Sequence, residues 1–294
     1  MKGKFSYLWV LIAAMFWGTT GTAQVFAPES AHPISIGTIR LAVGGLSLLF
    51  IVLLVGKFNV KNWPMKEIVF AALCMAFYQP LFFSAVHITG VAIGTVVAIG
   101  SAPILSGFLE WIIQKKSPAK VWWYSTLLSI VGCFMLFINT ESVTVHPFGI
   151  VLALGAGLSF ACYTLVNRNL VSKHDTLSVV AVVFTLSAIF LSPFLLMYDF
   201  SWVMEMRGIV VSLHLGIVAT GIAYILFSRG LVYLPSSTAV TLSLGEPLTA
   251  TLLGVFLVGE YLSITSWIGI LFLIFGIGLL ILSSRKPKHR KADF

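Results

Sequence analysis

Residues 82–116, FFSAVHITGVAIGTVVAIGSAPILSGFLEWIIQKK, and residues 226–260, LFSRGLVYLPSSTAVTLSLGEPLTATLLGVFLVGE, carry one pattern twice. A shift of 144 positions lays Phe83–Ser84 on Phe227–Ser228 and Pro103 on Pro247 without a gap. The same shift carries Trp123 onto Trp267 and Gly132 onto Gly276. Near the start of each half the match weakens: Phe16–Trp17–Gly18 lies near Ser159–Phe160–Ala161 with the offset reduced by one. Both copies are strongly apolar. A repeat in such a chain points to a duplicated membrane fold.

Composition bears this out. The 294 residues are 59% hydrophobic and 10% charged, with a mean hydropathy of +1.01. Soluble domains carry about 25% charged residues, so a soluble reading is excluded. A bilayer-crossing helix needs about 20 apolar residues, and ten such spans can be marked: 7–27, 34–55, 67–87, 91–112, 121–139, 148–168, 176–197, 208–230, 235–257 and 264–283. Short connections carry Pro28, Pro33, Pro64, Pro118, Pro147 and Pro235 as punctuation. The first apolar run is too long for a signal-peptide core and reads as a retained helix. Cys74, Cys133 and Cys162 lie in apolar runs without metal-ligand spacing and read as buried small residues.

The net charge of +8 does not signal nucleic acid, because of where it falls. Of the 18 Lys and Arg, all but Arg40 and Arg207 lie on one side of the ten spans. The positive-inside rule makes that side cytoplasmic and places both termini there. The basic tail Arg285 to Lys291 reads as an anchor near anionic lipid. Five helices per half is an odd number, so residues 1–144 and 145–294 enter the membrane from opposite sides. The expected fold is all-α, with ten helices as two inverted five-helix repeats. Inverted repeats can exchange inward- and outward-open states about a midplane site.

These residues resemble the drug/metabolite transporter superfamily, specifically its EamA-like ten-helix members. The resemblance covers nearly the whole chain and rests on Trp17–Gly18 and on a helix with a central proline in each half. In the second half Thr238 to Gly245, Glu246–Pro247 and Leu252 to Gly259–Glu260 match the family's small-residue, Glu-Pro and Gly-Glu pattern. The first half keeps Ala102–Pro103 but has Lys115–Lys116 where Gly-Glu would stand. The resemblance implies a secondary transporter of small organic metabolites such as amino acids or amines, with export favoured over uptake and no cofactor. It leaves open the substrate, the coupling ion and whether the protein acts as a monomer or a homodimer.

Glu246 is the leading candidate for chemistry. It lies about eleven residues, roughly 16 Å, into its span, where a charge costs on the order of 3 kcal/mol. It can bind a proton or a cationic group in a central cavity, or it can be a structural acid. Pro247 and Pro103 each remove a backbone donor and so predict helix kinks that free the carbonyls of Ser243 and Ile99. Arg40, about six residues from the outer end of its span, has three readings: snorkelling outward, pairing with Glu246, or holding a substrate carboxylate. Trp17, Tyr78, Gln79, Tyr224 and Ser243 are the remaining cavity candidates, the aromatics by stacking or cation–π contact with an organic solute. Tyr163 and Asn167 are further polar positions inside a span. Glu110 and Arg229 are expected to snorkel at the inner ends of their spans, His87 to be solvated and His214 to be titratable. Gly90-x-x-x-Gly94 is a close-approach motif.

The sequence has no phosphate-binding G-x-x-x-x-G-K-[ST] loop and no H-E-x-x-H or G-x-S-x-G motif. An enzyme is therefore not the expected class. An uncoupled, channel-like facilitator and a lipid-handling transporter remain the alternatives.

Overall fold

In hydrocarbon every backbone N–H and C=O must find its partner within the protein, which leaves the helix as the solution for an open chain. The computed structural model describes residues 5–56, 58, 63–115, 117–137, 146–259 and 261–284. Among them are ten helices long and apolar enough to span a bilayer. They are α1 (Ser6–Val25), α2 (Pro33–Leu54), α3 (Met65–Thr89), α4 (Ile93–Gln114), α5 (Lys120–Phe137), α6 (Pro147–Lys173), α7 (Thr176–Leu196), α8 (Met206–Leu231), α9 (Ser236–Val258) and α10 (Ile264–Ser283). Lys57, Lys61, Lys116, Glu260 and the basic tail lie outside the described residues.

Local chemistry sets the helix starts. Pro33 and Pro147 occupy first-turn positions, where a missing N–H costs nothing. His32 Nδ1 accepts from Ile34 N (3.2 Å), and the Asp175 carboxylate accepts from Ser178 N (3.0 Å) to open α7. Between α7 and α8, the short turn Ser201–Met204 inserts fully buried Trp202, whose Nε1 donates to Ser35 Oγ (2.9 Å). Asp199 receives the Ser201 hydroxyl and N–H in this turn, and these bonds hold its carboxyl below the usual carboxylate range.

The packing follows the repeat. If each helix corresponds to the one five later, α2 meets its counterpart α7 and α5 meets its counterpart α10. The α3–α6 and α4–α6 contacts are repeated as α8–α1 and α9–α1. This is the pattern of two similar halves related by a pseudo-two-fold axis, with α1 and α6 at the centre. The basic loops, carrying Lys115, Lys120 and Lys173, gather at one end of the bundle, hereafter the basic end.

Three local features depart from the sequence reading. The α6 helix continues past its expected end at Arg168 to Lys173. The α9 helix is broken between Leu242 and Gly245, ahead of Pro247, with Leu244 N bonding Thr241 O and Glu246 N bonding Ser243 O in tight turns. The α4 helix, by contrast, runs through Pro103 without interruption, and the expected kink there is not accompanied by a break. Wide turns also appear at His214–Ile222 in α8 and Gly254–Val258 in α9. Such π segments often mark functional regions. Cys74 and Cys133 are buried as expected, whereas Cys162 is half-buried.

Close helix approach in a membrane depends on small residues. The Gly276 carbonyl accepts from Ser125 Oγ at 2.6 Å, and a Cβ on Gly276 would collide with Ser129 Oγ and lie 2.9 Å from Ser125 O. A Cβ on Gly278 would meet nothing within 4 Å. Gly276→Val should therefore destabilise the fold by about 1–3 kcal/mol, the usual overpacking range, while Gly278→Val should leave thermal unfolding in detergent unchanged.

Candidate functional site

A cavity lies at mid-bundle, beside the break in α9. Glu246 is ten residues beyond Ser236, about 15 Å along α9 at 1.5 Å per residue. The walls are Trp17 and Thr20 from α1, Arg40 from α2, Tyr78 from α3, Ala98, Ile99 and Ala102 from α4, Phe160 from α6, Tyr224 from α8, and Ser243 and Glu246 from α9. Six sequence candidates (Trp17, Arg40, Tyr78, Tyr224, Ser243 and Glu246) thus meet around one space, although they are spread over more than two hundred residues of sequence. Gln79 does not line it. It is 3% exposed and packs against Gly37 of α2, because it follows Tyr78 directly and so points away from it on the helix.

The local sequence explains how α1 and α9 come close enough to share this cavity. A Cβ on Gly18 would lie 2.7 Å from the Glu246 carbonyl and 2.6 Å from Thr249 Cβ. Only glycine fits at that crossing. Its neighbour Trp17 is then pressed into an aromatic group, with ring centroids 4.8 Å from Tyr224, 5.1 Å from Phe227 and 5.9 Å from Phe160.

Arg40 neither snorkels nor pairs directly with Glu246. It is 8% exposed, its Nε donates to Thr220 Oγ1 (3.2 Å) and its Nη2 to the Ala219 carbonyl (3.4 Å). The π segment of α8 presents both acceptors, and Thr220 in turn donates to Leu215 O five residues back. No Arg40 nitrogen lies within 4.0 Å of the Glu246 carboxylate, and among the described residues no donor is within hydrogen-bonding reach of that carboxylate. The Ser243 hydroxyl is turned to the Val240 carbonyl (2.7 Å). Trp17 Nε1 and Thr20 Oγ1 are buried with no partner. The cavity therefore offers a guanidinium, a carboxylate, an indole N–H and a hydroxyl within an aromatic wall. Its volume is ≈ 40 Å³. A buried water needs about 10–15 Å³, so this conformation admits a few waters and excludes an organic solute. Among the described residues no group of His, Cys, Asp and Glu is arranged to hold a metal.

Other expectations separate on the same geometry. His87 and Arg229 are exposed. His214 faces Thr19 at 2.8 Å; since the Thr19 hydroxyl donates to Phe16 O (2.7 Å), the imidazole Nε2–H is the donor between them. Gly94 packs tightly on Val86, whereas Gly90 meets nothing and instead makes a positive-φ turn before α4. Glu110 does not snorkel. It is 6% exposed and bonded to Arg168 and Ser237, partners brought to it by tertiary packing rather than by sequence proximity.

Residues 4–138 and 147–282 each match the EamA-like transporter family. Over 293 residues the chain is 50% identical to the uncharacterized transporter YwfM of Bacillus subtilis (strain 168), covering 100% of this chain and 98% of that protein. It is 23% identical over 286 residues to the uncharacterized inner membrane transporter YicL of Salmonella typhimurium, covering 94% and 95% of the two chains. A solved structure, described only as the crystal structure of a protein, superposes with a TM-score of 0.84 at 19% identity over 95% of this chain and 97% of that one, and so shares the fold.

The aromatic wall carries a stability prediction. Trp17→Ala should cost about 3–5 kcal/mol, as buried large-to-small changes do, and Trp17→Phe clearly less. Thermal unfolding of the detergent-solubilised protein at matched concentration checks both.

Proposed function

The chain belongs to the EamA-like transporter family, and from that premise we propose that it is a secondary transporter which exports a small organic metabolite, such as an amino acid or an amine, by alternating access. The observation that carries the reading is the pair Arg40 and Glu246. They are opposite charges on one mid-bundle cavity, and no ion pair within 4.0 Å joins them. Intramembrane charges are expensive and face a partner or a pathway. A guanidinium suits a carboxylate and a carboxylate suits an ammonium, while Trp17, Tyr78 and Tyr224 suit an apolar or cationic body.

The narrow cavity supports a cycle in which the two halves must part before a solute enters. The break in α9 and the wide turn in α8 lie beside Glu246 and Arg40, where a change of helix direction would alter the cavity first. In this reading Glu246 exchanges a proton, or the cationic group of the solute, between the two faces. Both termini are cytoplasmic and the bilayer is the plasma membrane, following the basic loops.

Glu246→Gln should reach the membrane at wild-type level and lose export or its pH dependence. Mass spectrometry of the medium around cells expressing wild type, Glu246→Gln or empty vector checks this. A metabolite released by the wild type alone supports the role. Equal release by both proteins, at every pH tested, reduces Glu246 to structure. Concentration of the solute against its gradient separates a coupled carrier from an uncoupled facilitator.

A further inference from the structure

Toward the basic end, four walls of the cavity continue downward in polar residues. On α4, Ala102 is followed one turn on by Ser106. On α8, Tyr224 is followed by Ser228. On α6, Phe160 leads to Tyr163 and Asn167, and on α9, Ser243 leads back two turns to Ser236. Spacings of three, four and seven keep each set on one helix face. All five polar residues are 0% exposed. Asn167 Nδ2 donates to Ser228 Oγ (2.8 Å), but Asn167 Oδ1 and the hydroxyls of Ser106 and Ser236 have no partner among the described residues. A buried polar atom without a partner costs free energy and calls for a reason. Three of them, on three helices below one cavity, have a common reason if another conformation wets the column.

At the foot of this column stands Glu110, one turn beyond Ser106 on the same face of α4. Its Oε1 accepts from Arg168 Nη1 (3.3 Å) on α6, and its Oε2 accepts from Ser237 N (3.1 Å) and Ser237 Oγ (2.7 Å) on α9. Pro235, the residue before α9, has no side-chain acceptor to cap that helix, so Glu110 supplies the acceptor from α4. Negative charge at a helix N-terminus is favourable as well. Arg168 Nη1 also donates to Gln114 Oε1 (3.2 Å). On the far side of Arg168 and Gln114 lies a groove of ≈ 490 Å³ whose walls include Glu67, Asn169 and Ser172. The carboxylate thus joins one helix of the first repeat to two of the second, between an outer groove and a closed polar column.

We propose that the column from Ser106 to Ser236 is the permeation path to the basic end, and that the Glu110–Arg168–Ser237 cluster is the lock that closes it. The lock depends on the family's transport cycle but not on which solute is carried. Its counterpart is missing at the opposite end. The repeat shift of 144 places Gly254 at the position of Glu110 and Ile93 at that of Ser237, neither of which has a side chain able to make these bonds. Glu110 and Arg168 are positioning residues, acting on helix separation rather than on the solute.

The test reads accessibility and needs no substrate. Full-length protein carrying Ser106→Cys is treated in membranes with N-ethylmaleimide, and the labelled peptide is followed by mass spectrometry, so that the three native cysteines do not interfere. A second reporter, Ser212→Cys, sits in a buried position near the opposite end. Adding Glu110→Gln or Arg168→Gln should raise the labelling rate at 106 about fivefold or more, the shift expected when a bias of one to two kcal/mol is lifted, and leave 212 unchanged. Ser237→Ala, which keeps the charge pair, should give a smaller rise at 106 and serves if Glu110→Gln fails to fold. Unchanged labelling at 106 in folded variants overturns the lock. An equal rise at both reporters also overturns it, since general loosening would then be the cause. Neither result bears on whether Glu246 serves export, which the medium assay reads separately.

Discussion

A guanidinium and a carboxylate that share one cavity without bonding to each other set the terms for everything around them. In a medium of low dielectric, each charge must be balanced by dipoles or by its opposite. Arg40 is tied by two bonds to the widened turn of α8, which holds it back from Glu246. Glu246 sits beyond the break in α9, with no donor to its carboxylate among the described residues. The irregular backbone is therefore placed where the charges are.

The rest of the bundle serves to hold that irregular centre in place. Gly18 lets α1 lie against the Glu246 carbonyl, and Gly276 lets α10 lie on α5. With lipid as apolar as leucine, there is little hydrophobic gain in bringing helices together, and close packing must supply the attraction. Stability and site geometry thus depend on the same small residues. A side chain added at Gly18 would press at once on Thr249 and on the Glu246 carbonyl.

The architecture was legible because its signals are periodic and long. Ten apolar stretches and a gapless repeat survive any uncertainty in a single residue. Six cavity residues were also legible, since polar or aromatic side chains in the middle of an apolar span are conspicuous. Gln79 is as conspicuous as Tyr78 in the same apolar span, but neighbours on a helix face different directions and Gln79 lies off the cavity. Glu110 was expected to snorkel because it lies near the inner end of its span, where snorkelling is the ordinary outcome. What overturns that outcome is the α9 N-terminus, 127 positions away in sequence, whose Ser237 N–H needs an acceptor. An isolated reading of α4 contains nothing of that need. A usable signal was the lone Pro235 before α9, a helix start with no capping side chain.

Duplication and inversion give the two ends of the molecule the same backbone plan, so the preference between them must come from side chains. Where α4 ends, the chain places a carboxylate on the Ser237 N–H and hydroxyl at the start of α9 and on a guanidinium. Where α9 ends, the equivalent position is a glycine within a widened turn. Charge-assisted bonds release sharply, because a separation of an ångström or two forfeits most of their energy. Apolar helix contacts give way more gradually. The opposite end has neutral bonds, such as Trp202 to Ser35 and His214 to Thr19, and among the described residues no buried carboxylate–guanidinium pair, so the proposed lock favours a resting state closed at the basic end. In the proposed cycle symmetry supplies the two states and their route of exchange, and its violation at Glu110 biases the empty protein toward one of them.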